Sequence, residues 1–491
     1  MSPLHRNILW LFVSQIATWM VSIVLLILAP SRLGSEDFGR ISFVTAFLGF
    51  FNLVGMLGSY QYLVKRIARD HSEVGRLVVD ALQLKLVVGL FLSAVALTLG
   101  WLLSYSTEVL VLIFIGCMAM TAGLLNDVLI SGLAGMERMA GTAFWATVQV
   151  YVGSALTIVV LLTSHSLVLF SLAIGIAVVV PLTANYLRLR SFIEARGPRV
   201  SGSHRTIVLG GLPFVVLTGL NLIYGTIDVP ILESISGSTV VGWYTLAYRW
   251  ISMPIFITTI VITAFLPSLS EMAGRASLHE FTDLTNRAVR LVMIVSIPAS
   301  VGLIFVAPDI LHLLYGSEFN HSVVLMRILS IHIPIAAMDT VLALALIAAD
   351  RQNRYLIVAL CAAIINPPLD FLAIHITADR YGNGAIGAAI VTVLTEVFIA
   401  LGALKLRSPG VMNRRTVLFI GRCLIAVGAM SVVLAVSSDF HLFVKIVAGG
   451  VVYALASLAL GTVSISRIKG MMAELGRSQI TVPQLDEASQ E

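Results

Sequence analysis

The sequence predicts an all-α protein that crosses a membrane many times. Of its 491 residues, 58% are hydrophobic and only 12% are charged, and the mean hydropathy is +0.97. A soluble domain carries about 25% charged residues, so this chain has too few charges to cover a water-facing surface. Apolar runs of about 20 residues, the length of a membrane-crossing helix, recur along the whole chain. These observations argue against a soluble enzyme.

The apolar runs predict about fourteen transmembrane helices. The first run follows His5 and Arg6. It is longer than a signal-peptide core and has no small-x-small cleavage site, so we expect an uncleaved first span. The predicted spans are residues 9–29, 41–63, 78–102, 109–129, 142–163, 166–187, 207–231, 239–265, 290–307, 324–348, 354–374, 384–404, 417–437 and 442–465.

Basic residues lie mainly on one side of these spans. With a cytoplasmic N-terminus, the predicted cytoplasmic segments contain 23 of the 31 Lys and Arg residues, and the outer segments contain four. Because cytoplasmic loops retain Lys and Arg, this alternation supports the number of spans and predicts that both termini are cytoplasmic. The basic residues are spread over short loops, so the net charge of +5 does not indicate nucleic-acid binding.

A short internal repeat suggests two related halves. The segments "RLGSEDFGRISFVTA" (32–46) and "SISGSTVVGWYTLAY" (234–248) each join an odd-numbered span to the next on the outer side. Related halves with a substrate site between them are a recurrent plan in transporters. The matched positions, all offset by 203 residues, are Gly34 with Gly237, Ser35 with Ser238 and Gly39 with Gly242.

The predicted organisation is therefore two six-helix lobes followed by two further helices. The basic stretch between the lobes predicts a cytoplasmic linker, and the polar C-terminal segment predicts a flexible tail in the cytoplasm. The divisions are an N-terminal lobe (1–187), the linker (188–206), a C-terminal lobe (207–404), helices thirteen and fourteen (405–465) and the tail (466–491).

Residues 382–387 spell G-x-G-x-x-G, the phosphate-binding fingerprint of dinucleotide enzymes. That motif works within a βαβ unit, whereas here an outer loop precedes it and a membrane span follows it. The small residues Gly384, Gly387, Ala388 and Ala389 instead predict close helix packing. No Walker A sequence occurs, and the three scattered cysteines show no metal-binding spacing. We therefore expect no organic cofactor and no structural metal.

Six segments, spread in order over roughly residues 1–410, resemble a known family. They are "LGSEDFGRISF" (33–43), "VGWYTLAYRWISMP" (241–254), "LPSLSE" (266–271), "APDILHLLYGSEF" (307–319), "NPPLDF" (366–371) and "GAIGAA" (384–389). Together they resemble the polysaccharide flippase branch of the multidrug/oligosaccharidyl-lipid/polysaccharide exporter superfamily. The resemblance implies two six-helix lobes in a V around a central cavity. It also implies alternating access for an undecaprenyl-pyrophosphate-linked oligosaccharide.

The resemblance implies transport without catalysis in the bacterial inner membrane. The cargo would be a repeat unit of O-antigen, capsule or exopolysaccharide. Expected partners are this lipid-linked oligosaccharide, membrane lipids and the polysaccharide polymerase with its chain-length machinery, for a monomer that binds no nucleic acid. The chain is also similar to peptidoglycan-precursor flippases. Its first helix, however, has no Arg or Lys between Arg6 and Arg32, which favours a polysaccharide unit over lipid II.

Basic residues within the predicted spans are candidates for binding the cargo headgroup. Ionisable groups are costly in a bilayer and usually line a wet cavity. Arg249 lies about 15 Å deep, at 1.5 Å per residue, and its fork suits pyrophosphate oxygens. Lys85 and Arg327 are further candidates. The alternatives are snorkelling of Lys85 and Arg327, pairing of Lys85 with Asp80, and an ion pair of Arg249 with one of the midplane acids Asp339 and Glu396.

A second candidate site is for a coupling cation. Asn366 and Asp370 lie one turn apart on predicted helix eleven and therefore share a face. Two prolines lie between them, and a helix broken by proline can coordinate cations through freed carbonyls. In the resembling peptidoglycan-precursor flippases, a sodium site joins helices seven, eleven and twelve. The matching positions are Asp228, Asn366, Asp370 and Thr392, which implies Na⁺ or H⁺ as the coupling ion; a structural kink is the alternative.

Polar and aromatic residues near the outer side complete the predictions. The acids Asp309, Glu318 and Asp379 are expected to be solvated. The aromatic residues of helix eight predict anchoring at the membrane interface, with sugar stacking in the cavity as the alternative. They are Trp243, Tyr244, Tyr248 and Trp250.

Three other functions compete with the flippase interpretation. A drug exporter of the same superfamily would share the fold. A membrane-embedded polymerase or glycosyltransferase is disfavoured because the outer loops are short and no DxD motif occurs. A scaffold would leave the buried charges at Arg249 and Glu396 unexplained.

Overall fold

The computed structural model describes residues 3–164, 166–195, 203–274, 277–437 and 440–463. These residues form helices joined by short turns and contain no strand, so the predicted all-α class is confirmed. Eleven helical segments of the described chain are long and apolar enough to cross a membrane. The chain is thus a multi-pass membrane protein, and the number fourteen remains a prediction.

The described residues form sixteen α-helices, with 3₁₀ turns at His71–Glu73 and Ser317–Phe319. The helices are α1 (Pro3–Met56), α2 (Ser59–Arg69), α3 (Val74–Leu102), α4 (Thr107–Gly135), α5 (Ala140–Thr163), α6 (Leu167–Glu194), α7 (Ser203–Thr226), α8 (Asp228–Ser236), α9 (Ser238–Gly274), α10 (Leu278–Tyr315), α11 (His321–Ser330), α12 (His332–Ala348), α13 (Gln352–Tyr381), α14 (Ala385–Leu406), α15 (Arg414–Val436) and α16 (Leu442–Ala459).

Every predicted span overlaps one or two of these helices. The first span and most of the second lie in α1, because only Gly34 between them leaves the helical conformation, and the second span ends in α2. Span seven comprises α7 and α8, and span ten comprises α11 and α12. The predicted linker (188–206) is partly helical, since α6 continues to Glu194. Its residues 196–202, and the predicted tail (466–491), lie outside the described residues.

The internal repeat extends to backbone geometry. Gly34 has φ 79° and ψ 176°, and its counterpart Gly237 has φ 78° and ψ 174°. This region of conformational space is essentially restricted to glycine. Gly34 bends α1, and Gly237 separates α8 from α9. Gly34 and Gly237, which are matched in the sequence repeat, therefore make the same bend.

By contacts, the described chain separates into two compact units. The first unit comprises the described residues of Met1–Trp250, Leu311–Leu329 and Leu356–Ile399. The second unit comprises those of Ile251–Ile310, Ser330–Tyr355 and Ala400–Glu491. The predicted lobe boundaries differ from this division and stay a prediction.

Close glycine contacts hold helices together in the first unit. A methyl group at Gly135 on α4 would lie 2.6 Å from Cβ of Ile67 on α2. At Gly387 on α14, it would lie 2.3 Å from the carbonyl oxygen of Ala373 on α13, and Ala388 and Ala389 are fully buried. Small residues allow membrane helices to approach this closely. The packing interpretation of the G-x-G-x-x-G segment is confirmed.

In the second unit, α10 is bonded to the segment that precedes α15 and to α16. The side chain of Asn286 donates to the carbonyl oxygen of Gly410 at 2.8 Å and accepts from the backbone N–H of Met412 at 2.8 Å. Near the other end of α10, Lys445 Nζ lies 2.7 Å from Asp309 Oδ2. Asp309 is therefore not simply solvated as expected: its side chain is partly exposed, and a lysine 136 residues away in sequence is its partner.

Candidate functional site

A cavity of about 310 Å³ lies in the first unit among α1, α7, α8 and α9. Its volume is at the lower end of the range of ligand pockets, about 300–1,000 Å³. The walls are largely apolar, with Ala46, Leu222 and Val229 among the lining residues. The polar and charged lining residues are Ser42, Thr45, Thr226, Asp228, Tyr244, Thr245, Tyr248 and Arg249.

Arg249 supplies the positive charge of this cavity. Its side chain is exposed, and its guanidinium carbon lies 4.8 Å from the ring centroid of the buried Phe38. An arginine stacked on an aromatic ring is held in place by cation–π attraction. Phe38 follows the Gly34 bend of α1 by one helical turn, so the repeat segment itself positions the cation. The predicted headgroup residue thus lies at a cavity, and its binding role stays a prediction.

The helices that border the cavity touch at glycines on two levels. On the predicted outer side, α1 and α9 cross where Gly39 meets Gly242. On the predicted cytoplasmic side, α7 contacts the end of α1, where a methyl group at Gly211 would lie 1.8 Å from the carbonyl oxygen of Leu57. The backbones at both levels are too close to admit a side chain.

The cation-site residues Asp228 and Thr392 come together through a tyrosine. Asp228 is 5% exposed, and its Oδ1 accepts from the backbone N–H of Val229 at 2.9 Å. The hydroxyl of Tyr244 donates to Asp228 Oδ2. The same hydroxyl lies 3.0 Å from Thr392 Oγ1.

Asn366 and Asp370 lie together on α13 and present unsatisfied oxygens. Asp370 is 1% exposed, and neither of its carboxyl oxygens has a hydrogen-bond partner among the described residues. Asn366 donates to Thr395 Oγ1 at 3.1 Å, while its Oδ1 has no such partner. Asp370 is also within electrostatic reach of Asp228. A buried carboxylate without a donor is expensive unless a cation or proton compensates it.

This oxygen-rich set suits a hard cation such as Na⁺, which prefers carboxylate, amide and hydroxyl oxygens. Within the described residues there is no group of three or more His, Cys, Asp or Glu side chains that could hold a metal ion, so a cation here would depend on the amide and hydroxyl oxygens as well as the two carboxyl groups. The prolines Pro367 and Pro368 do not break α13, which stays helical from Gln352 to Tyr381. Because proline has no N–H, the carbonyl groups of Ala363 and Ile364 lose their helical donor although the helix is not broken, so the site offers side-chain oxygens beside freed carbonyls.

Lys85 is engaged at a helix end. It is fully buried, and its Nζ donates to the carbonyl oxygens of Gly55, at 2.8 Å, and of Met56. These are terminal carbonyls of α1, which have no partner within the helix. The acid within electrostatic reach of Lys85 is Asp127, and not the sequence neighbour Asp80 that we expected. In this conformation the side chain serves as a helix cap, and its role in headgroup binding stays a prediction.

The remaining predicted residues are separate from the cavity lining. Arg327 is exposed on α11. Glu396 is buried on α14, with 7% of its surface exposed. Asp339 is buried in the second unit, where it accepts from the hydroxyl of Tyr355 at 2.8 Å.

The outer aromatic and acidic residues are more engaged than expected. Glu318 is not simply solvated, because its Oε1 accepts from Ser35 Oγ at 2.8 Å. Trp243 donates to the carbonyl oxygen of Glu318 at 3.0 Å, and Trp250 donates to the hydroxyl of Tyr315 at 3.0 Å. The anchoring interpretation is wrong for Tyr244, which is fully buried against Asp228. Its position four residues before Tyr248, on one face of α9, is the sequence signal for a role in the cavity.

The fold and the cavity define the class: the described chain is a helical, multi-pass membrane protein with a charged cavity among its helices. Comparison with protein-family models identifies the family. The chain belongs to the polysaccharide biosynthesis protein family, whose model matches residues 4–273. A second model, MatE, matches residues 213–372. The resemblance to the multidrug/oligosaccharidyl-lipid/polysaccharide exporter superfamily is confirmed.

Two solved structures share the fold. The lipid II flippase MurJ in an inward closed conformation matches with a TM-score of 0.69 and 16% identity, over 91% of this chain and 98% of that one. An inward-facing multidrug resistance MATE family transporter of the MOP superfamily matches with a TM-score of 0.62 and 18% identity, over 78% of this chain and 93% of the other. At these identities the likeness concerns the fold.

One curated relative is a probable flippase, AglR, from Haloferax volcanii. It is 24% identical over 261 residues, which are 51% of this chain and 53% of the relative. The match therefore spans about half the length of each protein.

Proposed function

We propose that this protein is a flippase that moves undecaprenyl-pyrophosphate-linked oligosaccharides across the bacterial inner membrane for polysaccharide biosynthesis. The observation that carries the proposal is the position of Arg249, an arginine stacked on Phe38 at a cavity among membrane helices. Membership of the polysaccharide biosynthesis protein family supports the same cargo class. Both termini would lie in the cytoplasm, in keeping with the distribution of basic residues.

In this proposal, Arg249 recognises the pyrophosphate. Its planar fork makes two parallel hydrogen bonds to phosphate oxygens, which a single ammonium group cannot do. The sugar would pass through the cavity while the polyprenyl tail stays in the bilayer. The present cavity, about 310 Å³, corresponds to a conformation in which the helices around it are close together. Cargo binding then requires the glycine contacts at one level to open, as alternating access demands.

A cation at Asp228 and Asp370 would return the carrier to its starting conformation. The orphaned oxygens of Asp370 and Asn366 are what supports this part of the proposal. An inside-negative potential favours outward movement of an anionic headgroup by about 2.3 kcal/mol per elementary charge per 100 mV. The same potential favours inward movement of a cation. The membrane potential would therefore favour both steps of an exchange in which the anionic cargo moves outward and the cation moves inward.

The test is deletion of the gene, followed by identification of lipid-linked oligosaccharides on each face of the inner membrane. We expect a repeat unit to accumulate on the cytoplasmic leaflet and the surface polysaccharide to be lost. Wild-type protein on a plasmid should restore export, and the variant Arg249→Ala, at equal abundance in the membrane, should not. Unchanged surface polysaccharide in the deletion strain would contradict the proposal.

A cation-coupled multidrug exporter is the second candidate. The match of the MatE model to residues 213–372 and the largely apolar cavity wall favour it. Apolar walls with an acidic group suit cationic amphiphiles, and Asp228 is such a group. The deletion strain distinguishes the two functions: drug sensitivity with intact polysaccharide indicates an exporter, and lost polysaccharide with normal drug tolerance indicates a flippase.

A further inference from the structure

One side chain, Tyr244, contacts both the cation site and the cavity. It is fully buried on α9 and lines the cavity together with Tyr248 and Arg249. Its hydroxyl donates to Asp228 on α8 and lies 3.0 Å from Thr392 Oγ1 on α14. Two candidate cation ligands on different helices thus meet at one phenol group that belongs to the cavity wall.

The hydroxyl of Tyr244 competes with a cation for Asp228. A phenol has a single proton, and in this structure the proton is donated to Asp228 Oδ2. A cation that binds this oxygen repels the proton, because like partial charges at contact distance are unfavourable. Thr392 Oγ1 is the acceptor that remains, since its own proton is donated to the carbonyl oxygen of Ala388 at 2.9 Å. Cation binding therefore turns the phenol proton from Asp228 towards Thr392 on α14, which the hydroxyl already reaches at 3.0 Å.

A cation at Asp228 changes the cavity wall beside this phenol, because both residues line the cavity. The rings of Tyr244 and Tyr248 lie 5.9 Å apart between centroids, and both line the cavity beside Arg249. Close-packed interiors do not admit an ion at Asp228 without displacing neighbours. These neighbours include Tyr248, which directly precedes Arg249 on α9.

We propose that Tyr244 is the positioning residue through which Na⁺ and the pyrophosphate cargo exclude each other. The inference rests on the proposed cation-coupled flippase function and specifies how the two sites communicate. Na⁺ is preferred to a proton because the free acceptors include the amide oxygen of Asn366, which suits a cation and not a titrating group. Mutual exclusion is the property an exchanger needs, since a carrier that holds both loads would move them in the same direction and uncouple the exchange.

The test is a thermodynamic cycle on the purified full chain in nanodiscs. The affinity for undecaprenyl pyrophosphate is measured by calorimetry in NaCl and in choline chloride of equal ionic strength. The affinity for Na⁺ is measured with and without undecaprenyl pyrophosphate, because coupling between two ligands is reciprocal. In the wild type, Na⁺ should weaken undecaprenyl pyrophosphate binding by about 5- to 150-fold, the usual range of coupling.

The decisive variant is Tyr244→Phe. It should bind Na⁺ at least as tightly as the wild type, because the competing donor is gone, while the effect of Na⁺ on undecaprenyl pyrophosphate falls close to onefold. Retained Na⁺ binding shows that the variant is folded. Tyr355→Phe is the matched control, since it removes a hydroxyl from another buried carboxyl, Asp339, outside the cavity. It should keep the wild-type coupling.

Each other outcome overturns the inference in a distinguishable way. Full coupling in Tyr244→Phe assigns the communication elsewhere and leaves the flippase function intact. Loss of both ligands in Tyr244→Phe reduces the residue to a structural one. If the wild type binds undecaprenyl pyrophosphate but not Na⁺, the proposed cation site is wrong, and so is the coupling. A wild type that does not bind undecaprenyl pyrophosphate removes the proposed function as well.

Discussion

Gly39 and Gly242, the last matched pair of the sequence repeat, contact each other's segments reciprocally. A methyl group at Gly39 would lie 1.7 Å from the carbonyl oxygen of Ser238, and one at Gly242 would lie 1.9 Å from that of Ser35. Glu318 holds the same turn, because its Oε1 also accepts from the backbone N–H of Ser35 at 2.5 Å. The repeat thus forms a crossing of α1 and α9 that resembles a local two-fold.

The variant Gly242→Ala should hold α1 and α9 apart at this crossing. An added methyl group meets backbone rather than a flexible side chain, and such overpacking costs about 1–3 kcal/mol. A cysteine at cavity residue Thr45, in a background without native cysteines, should react faster with an impermeant maleimide added from outside. Gly302→Ala, where nothing lies within 4 Å, is the control. Equal labelling rates in Gly242→Ala and the wild type would show that the contact does not restrict access.

Asp370→Asn should abolish the stabilisation of the folded protein by Na⁺. The substitution removes the charge whose oxygens have no partner, so the site loses its main cation ligand. At a Na⁺ concentration 100 times Kd, the free energy of unfolding of the wild type should rise by about 2.7 kcal/mol. Thermal unfolding of the purified variant should show no such rise. Asp379→Asn, an exposed acid on the same helix, should respond like the wild type; the proposed site is wrong if Asp370→Asn does so too.

Arg249→Lys should weaken cargo binding although it keeps the charge. Lysine cannot make the bidentate contact to pyrophosphate, and charge-assisted hydrogen bonds contribute about 1.5–3 kcal/mol each. The affinity for undecaprenyl pyrophosphate should fall by roughly tenfold or more. Arg327→Lys, at an exposed arginine of α11, separates the two headgroup candidates. A larger loss in Arg327→Lys than in Arg249→Lys would move the headgroup site away from the cavity.

Lys85→Met should affect stability rather than cargo affinity. It removes the lysine donor from the carbonyl oxygens of Gly55 and Met56, and only Met56 keeps another donor among the described residues, Ser59 Oγ, so we expect a cost of about 1–3 kcal/mol. The melting temperature in detergent should fall, while the affinity of the folded fraction for undecaprenyl pyrophosphate should stay at the wild-type value. Lys65→Met, at an exposed lysine, should change neither. A selective loss of cargo affinity would instead support Lys85 as a headgroup residue.

Much of the fold could be predicted from the sequence because bilayers impose simple rules. Apolar runs predicted the helices, and the repeat matched Gly34 with Gly237, whose common bend is seen only in the structure. The sequence did not show that α1 is helical on both sides of Gly34, because the polar residues between the two spans are typical of a loop. Short polar segments between apolar runs can remain helical when one glycine absorbs the change of direction.

The site was less predictable because its partners are distant in sequence or belong to the backbone. Lys85 caps carbonyl groups, which carry no sequence signal. The Asp309–Lys445 pair spans 136 residues. The link from Asp228 to Thr392 depends on Tyr244, whose aromatic character indicated the membrane interface, whereas its hydroxyl determines its role. The placement of Asp370 beside Asn366 followed directly from helical periodicity.

The most direct test of the account is translocation by the purified protein. The chain is reconstituted into liposomes with a fluorescent undecaprenyl-pyrophosphate-linked oligosaccharide, and the fraction of label that an impermeant quencher reaches is followed over time. The account predicts faster exchange between leaflets than in protein-free liposomes, chemically unchanged lipid, and no acceleration by Arg249→Ala. Exchange no faster than in protein-free liposomes, or a lipid whose glycosidic bonds have been made or broken, would contradict it.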